Sequence, residues 1–300
     1  MTKSLAISTL QKNSSAAARL LDYFQLSKPG ILFAVLISTF TGFSLGSSNG
    51  LDLAKLIHTL LGTAMVASGA GALNMLLEHK EDSLMERTKN RPLPSGRISL
   101  EEAFFLGVFS SSFGIVHLAA MVNLLAAFFA ASSLTLYLVF YTPLKKSGFF
   151  GAIVGAVSGA IPPMIGWSAS HGAPEVQSWS LFAIVFFWQF PHILSLFWLY
   201  KEDFEKADFK MALFKDKTGS TLAKTALIFS FILICASFIP YLLGLAGTLY
   251  FISSMVLGFS MIACSIYFLK NLQPFSAKIF FFNSIFYLPL LFLILVLNSN

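Results

Sequence analysis

Apolar residues run along this chain in long blocks, and polar residues collect in the gaps between them. Nine blocks read as membrane-spanning helices, over approximately 30–47, 54–77, 101–118, 121–141, 149–169, 178–199, 221–242, 247–269 and 277–297. At about 1.5 Å per residue, blocks of this length cross a hydrocarbon layer roughly 30 Å thick. A β-barrel would instead alternate apolar and polar residues in segments of about ten. The third and fourth blocks almost touch, which predicts a tight hairpin at Val122 and Asn123. The expected fold class is all-α, a polytopic transmembrane bundle of about nine spans. An N-terminal arm over 1–29 precedes a single membrane domain over 30–298, and the arm's Ser15 to Phe24 suits an amphipathic helix lying at the interface.

Composition agrees with the pattern. Hydrophobic residues make up 56% of the chain, charged residues 11%, and the mean hydropathy is +0.76. A soluble domain carries about a quarter charged residues, so a water-exposed surface is excluded and lipid is the solvent. Cys235 and Cys264 lie in different apolar blocks without metal-ligand spacing and read as small packing residues.

Charge adds a direction. With an odd number of spans the termini lie on opposite sides, and placing the N-terminus in the cytoplasm puts every Lys and Arg except Lys55 on that side. The acids follow, Asp52 and Glu175 apart, and they gather in two loops, over 78–102 and 202–216. The two loops follow the second and sixth spans, which suggests a four-helix pseudo-repeat and one cytoplasm-facing polar cavity built from two halves. No nucleic-acid partner is implied; the partner implied by the pattern is membrane lipid.

The first loop carries the sharper chemistry. Asn74, Glu78 and Asp82 recur at intervals of four and share one helix face as the second span runs out of the membrane. Such a stripe is either a solvated helix end whose acids pair with nearby bases, or an oxygen-donor set suited to Mg²⁺ shared with substrate phosphates. Arg87, Lys89, Arg91 and Arg97 follow within a proline-braced run, and arginine suits bidentate contact with phosphate. Tyr141 and Lys145, four residues apart at the end of the fourth span, can both reach a diphosphate; an interfacial tyrosine beside positive-inside lysines, Lys146 included, is the plainer alternative.

The run from Asn74 to Ser99 resembles the first aspartate-rich loop of the UbiA-type intramembrane prenyltransferases, and within them the protohaem IX farnesyltransferase (haem O synthase) branch. That branch carries N-x-x-x-D-x-x-x-D and then M-x-R-T-x-N-R-P-L/I-P-x-G-R, matched by Met85, Arg87, Thr88, Asn90, Arg91, Pro92, Pro94, Gly96 and Arg97. Glu78 stands where aspartate is usual, and Lys80 stands where a further aspartate is common. Leu26-Ser-Lys28-Pro29 is similar to the branch's L-x-K-P, and Tyr141-Thr-Pro-Leu-Lys145-Lys146 to its Y-T-x-x-K-R. The string from Gly155 to Trp167 is similar to G-x-x-x-G-A-x-P-P-x-x-G-W, and Trp188 to His192 to W-x-x-P-H. On their own chemistry, Gly151, Gly155 and Gly159 permit close helix approach, while Pro162 and Pro163 break the fifth span and open backbone groups toward a cavity. The second loop, Lys201 to Met211, resembles K-x-D-Y-x-x-A-G-x-x-M-L, which carries over Asp203 and leaves Glu202 a helper and Asp208 solvated.

The resemblance implies a catalytic, Mg²⁺-holding set of Asn74, Glu78, Asp82 and Asp203, with Arg87, Lys89, Arg91, Tyr141 and Lys145 binding farnesyl diphosphate. It implies haem b as the acceptor substrate, with His192 facing it, and a downstream haem-modifying or terminal-oxidase assembly protein as a partner. The implied location is a bacterial inner membrane, with the N-terminus and charged loops cytoplasmic. His79 in the charged loop stays open between a structural and a haem-facing role. A prenyltransferase for another flat acceptor such as a quinone precursor, a transporter with a broken helix, and a haem-binding assembly factor are the rival readings.

Overall fold

The computed structural model describes residues 16–48, 50–145, 148–207 and 218–300. The start of the N-terminal helix at Ser15, the second basic residue Lys146 and the solvated Asp208 lie outside the described residues. Among the described residues nine helices are long and apolar enough to cross a membrane: Pro29–Gly46, Leu53–Leu77, Leu100–Met121, Leu124–Leu144, Phe149–His171, Val176–Leu199, Ser220–Leu242, Thr248–Asn271 and Pro274–Leu297. They are numbered one to nine below. An additional helix, Ala16–Leu26, precedes them.

Local signals in the sequence set the boundaries. Asp52 caps span two by accepting from the Lys55 backbone N–H at 3.0 Å, and Ser99 with Glu102 forms a reciprocal capping box at the start of span three. The expected hairpin is present: Asn123 Oδ1 accepts from the Ala126 N–H at 2.7 Å, and its amide donates to the Ser168 carbonyl at 2.8 Å. One residue therefore starts span four and ties it to span five.

Consecutive spans pack on one another, and span one closes the arrangement by packing on spans two, five and nine. The pseudo-repeat is visible in the spacing. Spans one to four start at 29, 53, 100 and 124, and spans five to eight at 149, 176, 220 and 248. Spans two and six are also each followed by a six-residue helix, His79–Leu84 and Lys201–Lys206.

Side-chain placement differs from that of a water-soluble bundle on the outer surface and in the hydroxyls it buries. Large apolar groups such as Phe105, Phe109, Leu124 and Leu242 point outward, while Ser230, Ser237, Ser254, Ser265 and Ser284 are buried completely. Lipid is as apolar as a protein core, so burying leucine gains little; close backbone approach drives association instead. Span five shows this against span one, where a methyl group on Gly166 would collide with the Thr39 carbonyl and one on Gly42 with the Pro163 backbone.

The expected break in span five falls at Ile161, between helical stretches Phe149–Ala160 and Pro162–His171. Pro162 cannot donate to the Ser158 carbonyl, and the Ser133 hydroxyl of span four donates to it at 2.9 Å. An apolar cavity of about 190 Å³ lies at the break, lined by Ile161, Val157, Met164, Phe128, Trp179 and Phe182 among others. Span six runs as expected through Pro191 to Leu199 without ending. The neighbouring spans seven and nine hold it in line from both sides.

Replacing Gly166 by alanine should lower the thermal stability of the purified protein by about 2 kcal/mol or more, because backbone must move to admit the methyl group. Gly30→Ala, where a methyl meets nothing within 4 Å, should leave the unfolding midpoint in detergent unchanged or slightly raised.

Candidate active site

Span two ends at Leu77, and the helical path resumes from His79 after a single residue, Glu78. The stripe predicted from the interval of four is thereby kept: Asn74, Glu78 and Asp82 are all buried, at 1%, 6% and 1% exposure. Two carboxylates on adjacent turns repel one another, and desolvation raises the cost. Each group of the stripe is met by a basic side chain, and each base comes from a different segment. Lys28, ahead of span one, donates to Asn74 Oδ1. Lys145, at the end of span four, grips both oxygens of Glu78 at 3.0 and 3.1 Å. Arg91, from the loop, donates to Asp82 Oδ2 at 2.8 Å.

The electrostatics follow from this crowding. Burial pulls the Lys28 ammonium down to about 8 despite the attraction of Glu78, and the repulsion of Arg91 and Lys145 adds to the fall. Burial is the largest influence on Lys145 and acts to lower it, but Glu78, Tyr141 and Asp82 together outweigh it and the net shift is upward. The Arg87 guanidinium is pulled down by burial and by Arg91.

Lys28 has a left-handed backbone, φ 51°, immediately before Pro29. That conformation is costly for a residue with a side chain, and the bond to Asn74 is what its ammonium gains in this position. The resemblance included Lys28 but gave it no role. Thr142 is a second residue that sequence reasoning passed over. It accepts from the Asn74 amide at 3.1 Å and donates to the Tyr137 carbonyl at 2.8 Å.

Those contacts depend on a π-helical stretch, Leu136–Tyr141, in span four. Such turns carry one extra residue and occur often at functional positions. Tyr141 stacks on Tyr137 with ring centroids 5.6 Å apart, and the Lys145 ammonium lies 6.0 Å from the Tyr141 ring centre. Gly155 of span five leaves room for that ring, since a methyl group there would meet it.

Asp203 is placed differently from the stripe. Its two oxygens accept the backbone N–H groups of Glu86 and Arg87, both at 3.1 Å. Arg87 in turn lies over the Tyr200 ring at 5.3 Å. Lys89 pairs with Glu86 at the surface. The two charged loops therefore meet, as expected, but through this carboxylate and a small apolar cluster of Met85, Phe197, Phe204 and Ala207. His79 bonds the Leu76 carbonyl at 2.9 Å within its own turn.

His192 sits lower in span six, its ring between Trp188 at 4.8 Å and Phe281 at 4.9 Å. Its Nδ1 is 2.9 Å from Ser284 Oγ, and that hydroxyl donates to the Phe281 carbonyl at 2.6 Å. With its proton committed there, the hydroxyl accepts from Nδ1–H, which leaves Nε2 with a lone pair.

The family model of the UbiA prenyltransferase family matches residues 35–290. The chain belongs to that family. A "Protoheme IX farnesyltransferase" of Solibacter usitatus is 39% identical over 286 residues, covering 92% of this chain and 98% of that protein. The protein of the same name from Aquifex aeolicus is 36% identical over 272 residues, covering 90% and 92%. Among solved structures, digeranylgeranylglyceryl phosphate synthase superposes with a TM-score of 0.76 at 18% identity, over 93% of this chain and 98% of the other. A UbiA homologue from Archaeoglobus fulgidus bound to GPP and Mg²⁺ gives 0.65 at 19%, over 91% and 99%. At these identities the structures speak for the fold, which is the UbiA fold.

Among the described residues no three acidic, histidine or cysteine groups converge on one point. The stripe nonetheless fits a hard cation in its chemistry, because Asn74, Glu78 and Asp82 offer oxygen alone. Their present partners are flexible side chains that can move to phosphate oxygens. Asp203 differs in its partners: backbone amides, not mobile side chains, donate to its oxygens.

Removing one member of a buried pair leaves the other charge uncompensated, at a cost of about 3–5 kcal/mol. Lys145→Met should therefore destabilise the protein by about 3 kcal/mol in denaturant unfolding. Glu78→Gln added to it should restore much of the loss.

Proposed function

We propose that this prenyltransferase moves the farnesyl group of farnesyl diphosphate onto a vinyl group of haem b, with addition of water, giving haem O and diphosphate. The observation that carries the reading is the stripe Asn74–Glu78–Asp82, met by bases from three segments. It supplies ligands for a cation and countercharges for a diphosphate at one end of an apolar bundle. The choice of haem b rests on near full-length identity to proteins named protoheme IX farnesyltransferase.

In this reading Asn74, Glu78 and Asp82 hold Mg²⁺, which when bound neutralises charge developing on the leaving diphosphate. Arg91 and Lys145 turn from their carboxylates to phosphate oxygens, exchanging one charged partner for another without leaving either unpaired. Arg87, held over Tyr200, adds a planar donor fork, and Lys89 extends the basic edge outward. Tyr141 and Tyr137 present stacked ring faces beside Lys145, where an allylic cation gains from π-electron density. His192 offers Nε2 toward haem in a ring orientation fixed by two aromatic neighbours and Ser284. The bias of Lys and Arg supports a cytoplasmic position for this end.

Membranes supplied with haem b, farnesyl diphosphate and Mg²⁺ should yield the hydroxyethylfarnesyl product, read by mass. Asp82→Ala should lower turnover by about a hundredfold or more, as loss of an electrostatic element at the reacting centre does. Unchanged turnover would remove the stripe from the mechanism. In a titration of purified protein with haem b, followed by its absorbance band, His192→Ala should weaken binding by about tenfold. Absence of saturable haem binding, with turnover of a phenolic acceptor, would replace haem by a quinone precursor.

A further inference from the structure

We propose that Asp203 is a positioning residue that clasps the turn carrying Arg87 and Arg91, and that it is not a ligand of the metal. The inference rests on reading residues 87–91 as part of the diphosphate site.

Met85 has extended backbone, φ −93° and ψ 129°, and the chain turns directly after it. The Thr88 and Lys89 N–H groups both return to the Met85 carbonyl, at 3.1 and 2.9 Å, and the Arg91 N–H returns to Thr88 at 2.9 Å. The Glu86 and Arg87 N–H groups open this turn and have no carbonyl behind them to bond. A residue such as Ser or Asp at position 85 would supply a capping oxygen; methionine cannot. The missing acceptor arrives from the other charged loop, where Asp203 gives one oxygen to each N–H. Asp203 is 8% exposed, and Phe204 beside it packs with Phe197 and Met85. A negative group at the open start of a turn is favoured by the aligned N–H dipoles as well as by the bonds themselves.

Three consequences separate a clasp from a ligand. Each oxygen of Asp203 accepts from a backbone N–H that, unlike the side-chain bases on the stripe, cannot swing away. Its neighbour Glu202 is exposed, so the short helix Lys201–Lys206 presents one carboxylate rather than two toward the first loop. The turn it holds fixes the base of Arg87 and, through residues 88–91, the guanidinium that reaches Asp82. Asp203 therefore acts on substrate through two arginines.

Hydrogen–deuterium exchange and farnesyl diphosphate binding, both on the full chain in detergent, test the assignment. In the unaltered protein without added substrate or metal, the Glu86 and Arg87 amides should be protected. In Asp203→Asn, which keeps the side chain's size, they should exchange about tenfold faster or more. Affinity for farnesyl diphosphate should fall by about tenfold, while the Mg²⁺ concentration giving half-maximal binding stays within about twofold. A Mg²⁺ requirement raised by about tenfold with both amides still protected would make Asp203 a ligand and overturn the clasp. Unprotected amides in the unaltered protein would overturn it without any variant, so the result stands even where Asp203→Asn does not fold. Because the exchange arm needs no substrate and the binding arm no acceptor, failure of haem b as acceptor would overturn the acceptor assignment and leave both the clasp and the diphosphate site standing.

Discussion

Carboxylates pressed together at the edge of an apolar layer need neutralising, and the charged end of this protein is organised by how that need is met. Glu78 and Asp82 are nearly out of reach of water. The energy gained by pairing a buried charge roughly offsets its desolvation, so such pairs stabilise a fold little by themselves, yet breaking one is expensive. Their main effect here is to fix relative positions. Lys28, Lys145 and Arg91 come from the approach to span one, the end of span four and the intervening loop. Three parts of the chain that share no continuous secondary structure are brought to one stripe.

Away from that end a different physics holds the bundle. Backbone approach at Gly166 and Gly42, and hydroxyls such as Ser237 bonding Tyr287 and the Leu233 carbonyl, work beside the packing of buried leucines such as Leu181, Leu233 and Leu291. Large aromatic and aliphatic groups are left for the lipid. The two regimes meet at span four, where the polar contacts of Thr142 sit on a helix whose outer face is Val139 and Phe140.

Much of this could be read from the residues. Span positions followed from block length, and the stripe from its interval of four, because helical periodicity is a local property of sequence. The break at Ile161 followed from two successive prolines. Features that depend on partners distant in sequence were hidden. Asp203 was singled out as a metal-holding group by the resemblance, but nothing near it signals that the turn after Met85, over a hundred residues earlier, leaves two amides without a local acceptor. Lys28 looked like a positive-inside residue, and its left-handed backbone has no compositional mark such as glycine. The tautomer of His192 was equally invisible, being set by Ser284 three spans away.

The π-helical stretch at Leu136–Tyr141 has a consequence for phase. One surplus residue wound into a helix advances everything beyond it by about 100° around the axis relative to an unbroken α-helix. Up to Thr135, span four is phased by its contacts with spans three and five; beyond Tyr141, it is phased by Asn74 and Glu78. The surplus residue reconciles the two phases within a single rod. Span four thus works as a mechanical coupling with a built-in angular offset, and its length in residues, more than the identity of any one of them, keeps Lys145 aimed at span two.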